Sequence, residues 1–430
     1  MMAVVYTRHG APADVLSLAT SVPTPTLASP PPPTDAAATV AHVDTPPTLL
    51  VRVAAVGLNP VDVKRCRGTA GLPFPRWPIP EIPAFDMAGQ VVASTDTDPA
   101  LVPGSWVAGL VPAGRGLAEY VAVPGRCVAL IPERVSAVTA AAVPLAGLTA
   151  LQVLGKLGVA CPVTEVGSKR VDDDHGDGGG GGGGGRGGPD GDSDDTPGRN
   201  GPPPSSVLLH GGVGGVGSFA IQLASRVGRV PRVVVSVSAA KAHLAIRLGA
   251  TETVPAGPAA AVAAALTATP DRDGSGPVSA AADFVGDGVP GLFGALHRHR
   301  SGTGRRGKDD RPRQVSILGP VSAQSAAHWF PNGVYPTGMG PFLAARAAPT
   351  TLRAWAAGVN WAPHVVASDG AAVGQLLEWV ANGVVEVVLA RVVDGLAAWH
   401  EAMEVVEGGH AAGKVVVRVW EGDGEGMGRA

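Results

Sequence analysis

A glycine-rich turn follows the apolar run Ser206–Leu209 and precedes a second apolar run, Val233–Val237. Its glycines at 212, 214 and 217 have the G-x-G-x-x-G spacing of a dinucleotide-binding turn. In such a turn Gly212 permits the tight bend, Gly214 lets a pyrophosphate approach the backbone, and Gly217 lets the helix pack on the strand. The pattern predicts a βαβ unit that binds phosphates at a helix N-terminus. The candidate cofactor-binding residues of this turn are Gly212, Gly214, Gly215, Val216 and Gly217.

The end of the second apolar run indicates which nicotinamide cofactor is used. An NAD site usually places an Asp or Glu here to bind the ribose 2′-hydroxyl, and the sequence Val235-Ser-Val-Ser-Ala-Ala-Lys241 has neither. The hydroxyls of Ser236 and Ser238 and the ammonium of Lys241 instead suit the 2′-phosphate of NADPH. The alternative is that these three residues only cap the next helix, Ala242–Leu248.

Composition narrows the possible function classes. The 33 basic and 36 acidic residues give a net charge of −3, so no basic field attracts nucleic acid or an anionic membrane. Small-molecule chemistry is favoured. A chain of 430 residues exceeds one ordinary core and suits two domains. Cys66, Cys127 and Cys161 lie far apart, so they build neither a disulfide framework nor a four-cysteine zinc lobe.

Membrane and secretory signals are weak in this sequence. Pro144 and Gly147 interrupt the most apolar stretch, Val138–Leu154, and no uninterrupted apolar run reaches about 18 residues. We therefore expect no membrane span. Met1–Tyr6 has the pattern of a strand instead of a charged leader followed by an apolar core. The expected location is the cytoplasm.

Three segments have compositions that do not build a core. Pro23–Pro47 is rich in Pro, Ala and Thr, and Gly167–Pro204 contains the unbroken glycine tract Gly178–Gly185. Both are expected to be disordered, because they bury too little apolar surface to offset chain entropy. Ser301–Pro312 is a basic loop of Gly, Arg and Asp. All three are predicted to be surface insertions between regular elements.

Apolar periodicity and turn residues place the remaining elements of an α/β protein. Strands are predicted at Leu49–Leu58, Phe85–Ser94, Glu119–Val123, Cys127–Ile131, Ala282–Val285 and Gln314–Leu318. Thr139–Leu157 is predicted to be helical after its proline. Ser368 or Asp369 caps a later helix, and Gly383 ends it. The chain closes through Val384–Val393, the helix Leu396–Glu407 and the strand Lys414–Trp420.

Six motifs of the chain resemble those of the medium-chain dehydrogenase/reductases and occur in the same order along the sequence. They lie in Val51–Lys64, Pro83–Val91, Gly116–Val121, Pro144–Ala150, the glycine turn and Gly413–Val417. The chain resembles the zinc-free quinone oxidoreductase branch of that superfamily. Its segments Trp355–Trp361 and Val366–Gly370 resemble, more specifically, the reticulon-interacting NADPH oxidoreductases.

The resemblance implies a GroES-like, β-rich catalytic domain and a Rossmann cofactor domain with a doubly wound parallel sheet. The catalytic domain is expected to comprise residues 1–137 and 346–430, with the cofactor domain at 138–345. Zinc is not expected. Alcohol dehydrogenases of the superfamily carry a Cys where this chain has Asn59-Pro60, and a His-Glu pair where it has Phe85-Asp86. Cys66 and Asp86 do not supply the three ligands of a catalytic zinc.

The resemblance also implies roles for individual residues. Asn59 of the N-P-x-D motif would donate a hydrogen bond to an enolate oxygen in the cleft, or it would only fix the turn before Pro60. Asp62 would pair with Lys64 or with a backbone amide, while Lys64 is a further group that could approach the substrate. Thr149 occupies the family position near the nicotinamide carboxamide. The remaining cofactor-binding candidates are Gly319, Val321 and Lys414.

One departure from the family pattern concerns the proton donor. Many relatives carry an aromatic residue after the Arg-Gly that matches Arg67-Gly68, and here Thr69–Gly71 follows. The enolate would then be protonated by water or by Tyr335 of the aromatic loop Trp329–Tyr335. That loop has the alternative roles of ordinary packing and subunit contact.

These observations predict an NADPH-dependent, zinc-independent reductase of quinones or α,β-unsaturated carbonyl compounds. The alternative is a catalytically weak NADPH-binding protein that acts through partner contacts. The resemblance leaves a homodimer open as the assembly, and a mitochondrial location open beside the cytoplasm.

Overall fold

The computed structural model describes residues 1–27, 46–69, 79–112, 114–163, 203–268, 278–286, 289–296, 311–317 and 339–420. Most of the three predicted insertions lies outside these ranges. The candidate residues Gly319, Val321 and Tyr335 also lie outside them.

The described residues form strands that divide into two groups. The first group is β1 (Ala3–Tyr6), β2 (Leu16–Ala19), β3 (Leu49–Leu58), β4 (Asp86–Ser94), β5 (Trp106–Leu110), β6 (Tyr120–Val123), β7 (Val128–Leu130), β14 (Leu389–Asp394) and β15 (Lys414–Arg418). The second group is β8 (Ser206–His210), β9 (Arg232–Val237), β10 (Glu252–Pro255), β11 (Ala280–Asp283), β12 (Arg313–Ser316) and β13 (Asn360–Pro363).

The α-helices of the described residues connect these strands. They are α1 (Pro12–Val15), α2 (Pro60–Cys66), α3 (Ala137–Ala141), α4 (Pro144–Lys156), α5 (Gly215–Gln222), α6 (Ala242–Leu248), α7 (Ala259–Ala268), α8 (Met339–Ala357), α9 (Gly370–Ala381) and α10 (Trp399–Glu407).

The β-rich domain is built on a seven-stranded sheet with strands from both ends of the described chain. The order is β14-β15-β3-β4-β5-β7, and β6 also pairs with β3. β15 runs antiparallel to β3, with Val416 opposite Gly57. The residues before 138 therefore share one sheet with residues after 388, as the resemblance implied.

The central strand β3 separates two hydrophobic cores. Its residues Val53 and Val56 pack in the core of the β-rich domain, whereas Ala55 packs in a second core shared with the cofactor domain. α3 lies close to the strand, since a Cβ added at Gly57 would stand 2.3 Å from the carbonyl oxygen of Ala141. Burial on both faces explains why the second half of β3 is continuously apolar.

The cofactor domain is a six-stranded parallel sheet in the described residues, with the order β10-β9-β8-β11-β12-β13. Numbered from its first strand, β8, this order is 3-2-1-4-5-6, which is the arrangement of a Rossmann dinucleotide-binding sheet. The order in which strands are added to the sheet reverses between the parallel neighbours β8 and β11. Ligands bind at such a switch point, beyond the carboxyl ends of the strands.

Most predicted elements are present with small shifts in their ends. β3 has the predicted bounds, and α4 begins at Pro144. Asp369 is the cap of α9, because its carboxylate accepts a hydrogen bond from the Ala372 amide at 3.0 Å. In the closing segment Val384–Val393, for which no element type was predicted, β14 begins at Leu389.

The predicted domain boundary at residue 345 needs correction. It falls inside α8, and β13 beyond it still belongs to the parallel sheet. A boundary after Pro363 keeps both elements in the cofactor domain. The error arose because β13 is short and includes a proline, so its sequence does not have a strand pattern.

In the parts of the chain that the structure describes, no helix is both long enough and apolar enough to span a membrane.

Candidate active site

A cleft of about 870 Å³ lies between the two domains. One wall carries Asn59 and Lys64 at the end of β3 and in α2. The opposite wall carries the glycine turn, together with Phe284 and Ile317, which follow β11 and β12. The cleft therefore opens at the carboxyl ends of the parallel strands, where a Rossmann sheet binds its ligand.

The glycine turn has the geometry that dinucleotide binding requires. Gly212 has a φ of +56°, a conformation that favours glycine. A Cβ at Gly217 would stand 1.9 Å from the carbonyl oxygen of Gly212, so only glycine lets α5 pack this closely on the turn. A Cβ at Gly214 would meet just one atom within 4 Å, the carbonyl oxygen of Gly211 at 3.7 Å.

These observations test the fit of a dinucleotide. Gly214 faces open space in the cleft, and the N-terminal amides of α5 begin at Gly215. Backbone amides at a helix N-terminus bind phosphate oxygens. The residues present therefore fit the pyrophosphate of a nicotinamide dinucleotide, and the predicted turn residues lie together between β8 and the start of α5.

The glycine turn is attached directly to the β-rich domain. The amide of Gly413, just before β15, donates to the carbonyl oxygen of Val213 at 2.9 Å. The side chain of Lys414 then passes Gly215, where an added Cβ would lie 3.2 Å from its Cδ. The cofactor turn and the last strand of the catalytic sheet thus form one continuous piece of structure.

A buried polar junction lies at the floor of the cleft. The ammonium of Lys414 donates to Asp86 at 2.9 Å, to the side-chain oxygen of Asn59 and to the carbonyl oxygen of Leu58 at 3.3 Å. Asp86 also accepts from the Asn59 amide group at 2.9 Å and from the Leu145 backbone amide at 2.6 Å. We call Asn59, Asp86 and Lys414 the floor triad; each is at most 3 % exposed.

The floor triad engages the side chains of two predicted site residues. Asn59 uses its side chain within the triad, so its amide is not directed to a substrate oxygen. Lys414 lines the cleft, but its ammonium donates its hydrogen bonds to Asp86, Asn59 and Leu58 instead of to a cofactor. The sequence could not show this, because Lys414 lies 355 residues from Asn59.

Asp62 completes a capping box at the start of α2. Its carboxylate accepts hydrogen bonds from the Asn59 amide at 2.8 Å and the Ala84 amide at 3.2 Å. Its predicted partner was Lys64 or a backbone amide, and the backbone amide is the one observed. Burial, aided by the nearby charge of Asp86, raises the pKa of Asp62 to about 7 against the opposing Asn59 bond.

Lys64 is a cation on the wall of the cleft that α2 forms. It projects from α2, is partly buried, and has no hydrogen-bond or ion-pair partner among the described residues. Burial lowers the pKa of its ammonium. Thr149, on α4, also lines the cleft, and its hydroxyl donates to the carbonyl oxygen of Leu145 at 2.6 Å.

Of the three residues predicted to bind the 2′-phosphate, one is buried and two are accessible. Ser236 is 2 % exposed, and its hydroxyl bonds the His210 ring at 2.8 Å and the Gly211 amide at 3.2 Å. It supports the glycine turn and does not reach a phosphate. Ser238 is exposed just after β9, and Lys241 lies on the surface with its ammonium on the carbonyl oxygen of His410.

Within the described residues, no group of three or more His, Cys, Asp or Glu side chains is placed to hold a metal ion. Cys66 is fully buried in the core of the β-rich domain.

A GroES-like sheet closed by both chain ends, and a Rossmann sheet with its glycine turn in the shared cleft, define a two-domain dinucleotide-dependent oxidoreductase fold. The alcohol dehydrogenase GroES-like domain model matches residues 45–133, and the zinc-binding dehydrogenase model matches residues 312–417. These two matches and the two-domain fold confirm the resemblance to the medium-chain dehydrogenase/reductases that the motifs carry.

The relatives that match the chain in sequence are named as reductases or oxidoreductases. The chain is 31 % identical over 258 residues to 2-methylene-furan-3-one reductase of Solanum lycopersicum, covering 58 % of this chain and 50 % of that one. It is 30 % identical over 210 residues to the chloroplastic NADPH-dependent alkenal/one oxidoreductase of Arabidopsis thaliana (47 % and 43 % covered). It is 31 % identical over 193 residues to the mitochondrial NAD(P)H oxidoreductase RTN4IP1 of Drosophila melanogaster (40 % and 38 %).

These matches span half or less of the length of the relatives. Among solved structures, the quinone oxidoreductase from Coxiella burnetii superposes with a TM-score of 0.63 at 22 % identity. That match covers 97 % of this chain and 99 % of the other. It shows the shared fold.

The Asp86–Lys414 pair is expected to be strongly coupled. Asp86→Asn leaves a buried ammonium without its counter-charge and should lower the free energy of unfolding by about 3–5 kcal/mol. The double variant Asp86→Asn, Lys414→Met removes both charges and should recover most of that loss. Urea denaturation of the wild type, both single variants and the double variant measures the coupling. Additive losses would show that the two charges do not interact.

Asp62 should make stability depend on pH. Its folded pKa of about 7 lies above its unfolded value, so the folded state binds the extra proton between about pH 4 and pH 7. As pH rises through this window, the free energy of unfolding of the wild type should therefore fall by up to about 4 kcal/mol relative to that of Asp62→Asn. Above the window the difference should stay constant. Unfolding free energies at several pH values test this. Parallel curves for the two proteins would contradict it.

Proposed function

We propose that the protein is an NADPH-dependent reductase of quinones or α,β-unsaturated carbonyl compounds. The observation that supports this most directly is the pairing of two walls across one cleft. The glycine turn, whose geometry suits phosphates, lies on one wall, and the ammonium of Lys64, which has no partner among the described residues, lies on the other. The names of the plant relatives, an enone reductase and an alkenal/one oxidoreductase, support the same substrate class.

The proposed chemistry needs a cation near the substrate oxygen. The reduced nicotinamide, when bound, supplies a hydride to the β-carbon of the enone and becomes oxidised. The carbon–carbon π bond breaks, and its electrons collect on the carbonyl oxygen as an enolate. Lys64 stabilises that negative oxygen with an N–H donor in a partly buried site. A proton from water then reaches the α-carbon, which completes the addition of two hydrogens.

The floor triad supports this role indirectly. Asn59 caps α2, the helix that carries Lys64, and Asp86 anchors the N-terminus of α4, the helix that carries Thr149. Lys414 links both to the strand beside the glycine turn. We therefore assign the donor role, first predicted for Asn59, to Lys64, and treat Asn59 as a positioning residue.

NADPH is preferred over NADH in this proposal. β9 ends without a carboxylate, so no group accepts the 2′-hydroxyl of NADH in the usual way. Ser238 and Lys241 lie at the accessible end of that strand, where the 2′-phosphate would be placed. NADPH is also the cofactor in the name of the Arabidopsis relative. A homodimer and a cytoplasmic location stay predictions.

The test of the function is NADPH oxidation with a panel of quinones and enones. Lys64→Met should lower kcat on an enone by roughly 10²–10³-fold, because an oxyanion donor is lost, with the Kd for NADPH unchanged. Lys156→Met is the matched control, since burial also lowers the pKa of Lys156 but it lies outside the cleft lining. Tight NADPH binding without turnover on any panel member would favour the binding-protein alternative.

The pH profile gives a second readout of the same residue. Because burial lowers the pKa of Lys64, activity should fall on the alkaline side below the pH at which an ordinary lysine titrates. Lys64→Arg keeps its charge and should move that limb upward. An unchanged limb would assign the titration to another group.

Lys241 should discriminate between the two cofactors. Lys241→Gln should weaken NADPH binding about 10- to 100-fold, the scale of one charge-assisted hydrogen bond, while NADH binding changes by less than about twofold. Fluorescence titration with both cofactors measures this on one preparation. Equal losses would remove the 2′-phosphate assignment and leave Lys241 as a tether of the His410 loop.

A further inference from the structure

The charges that line the cleft are of one sign. The charged residues of its described lining are Lys64, Arg346 and Lys414, and this lining contains no Asp or Glu. The charge of Lys414 is balanced by Asp86 inside the floor triad. Lys64 is assigned to the reacting carbonyl oxygen. Arg346 is then the cation of the lining for which the proposed reaction has no use.

Arg346 is available for binding. It is an exposed residue of α8, and it has no hydrogen-bond or ion-pair partner among the described residues. Its neighbours in the lining include the apolar side chains of Leu343 and Ile317. A cation beside apolar side chains and without a local carboxylate attracts an anionic group of a ligand.

The strand order separates Arg346 from the phosphates of the cofactor. The glycine turn follows β8, and the 2′-phosphate group Ser238 and Lys241 follows β9, on one side of β8. α8 packs against β13, on the other side of β8 beyond β11 and β12. A dinucleotide lies across the strand ends with its phosphates at the glycine turn. Arg346 therefore lies at the end where the nicotinamide and the substrate meet.

We infer that Arg346 is a specificity residue that binds a carboxylate on the substrate, so that the preferred substrate is an α,β-unsaturated carbonyl compound that also carries an acid group. A single guanidinium matches the single charge and the two oxygens of a carboxylate. Phosphates, by contrast, bind best to clustered backbone amides such as those of the glycine turn. This inference rests on the proposed reductase function.

The experiment compares (E)-6-oxohept-4-enoic acid with its methyl ester, in which two methylene groups separate the acid or ester from the enone, so that the pair differs in charge and not in the reactivity of the double bond. The wild type should show a kcat/KM about tenfold higher for the acid, the lower range for one charge-assisted contact. Arg346→Gln should remove this preference by lowering the acid value alone, and Arg346→Lys should restore part of it. Arg353→Gln is the matched control, because Arg353 lies two turns along α8 and outside the cleft lining.

Binding is measured separately with the saturated pair 6-oxoheptanoate and methyl 6-oxoheptanoate, by calorimetry on the enzyme saturated with NADP⁺. Tighter binding of the acid that depends on Arg346 supports the inference even if no substrate turns over, an outcome that would refute only the reductase function. Turnover of both enones with no acid preference in either assay overturns the inference alone. A rise in the Kd for NADPH in Arg346→Gln, with equal losses for acid and ester, would also overturn it, because Arg346 would then serve the cofactor.

Discussion

The ion pair between Asp86 and Lys414 is the interaction on which the site depends. Two charges at most 2 % exposed are costly to remove from water, and the cost is offset only by good geometry and by further hydrogen bonds. Asp86 supplies those bonds through Asn59 and Leu145, so the pair fixes the ends of β3, α2, α4 and β15 at one point. A hydrophobic pair would fill the same space, but it would not hold a helix cap and a strand end in register.

The same junction explains how two domains form one cleft. Lys414 follows Gly413, whose amide bonds the turn that receives the cofactor phosphates. A direct backbone hydrogen bond therefore joins the catalytic sheet to the glycine turn, beside the core that the two domains share. Lys64 and the turn face each other at a separation set by packed backbone, which is the pre-organisation that electrostatic stabilisation of an enolate requires.

Local signals in the sequence were sufficient for most elements and for the bend of the glycine turn. β3, the start of α4 at Pro144 and the Asp369 cap depend on periodicity, proline and side-chain capping, which act over a few residues. The side-chain roles failed where they depended on distant partners. Ser236 lies inside β9, where burial on both faces directs its hydroxyl to His210, and Asn59 meets Asp86 and Lys414 only in the folded chain. The sequence did not indicate a binding role for Arg346, because a single arginine in a helix matches no motif.

The pairing of β15 with β3 sets an order of events during synthesis. β3 is complete once Leu58 has been made, yet its neighbour begins only at Lys414. At roughly 5–20 residues per second, the ribosome needs on the order of 20–70 s to make the intervening chain. Throughout that interval the carboxyl half of β3 exposes unpaired backbone groups and apolar side chains, which is a template for wrong pairing. Pairing with β15 covers that edge, so the sheet of the β-rich domain is completed only after the strands of the cofactor domain have been made.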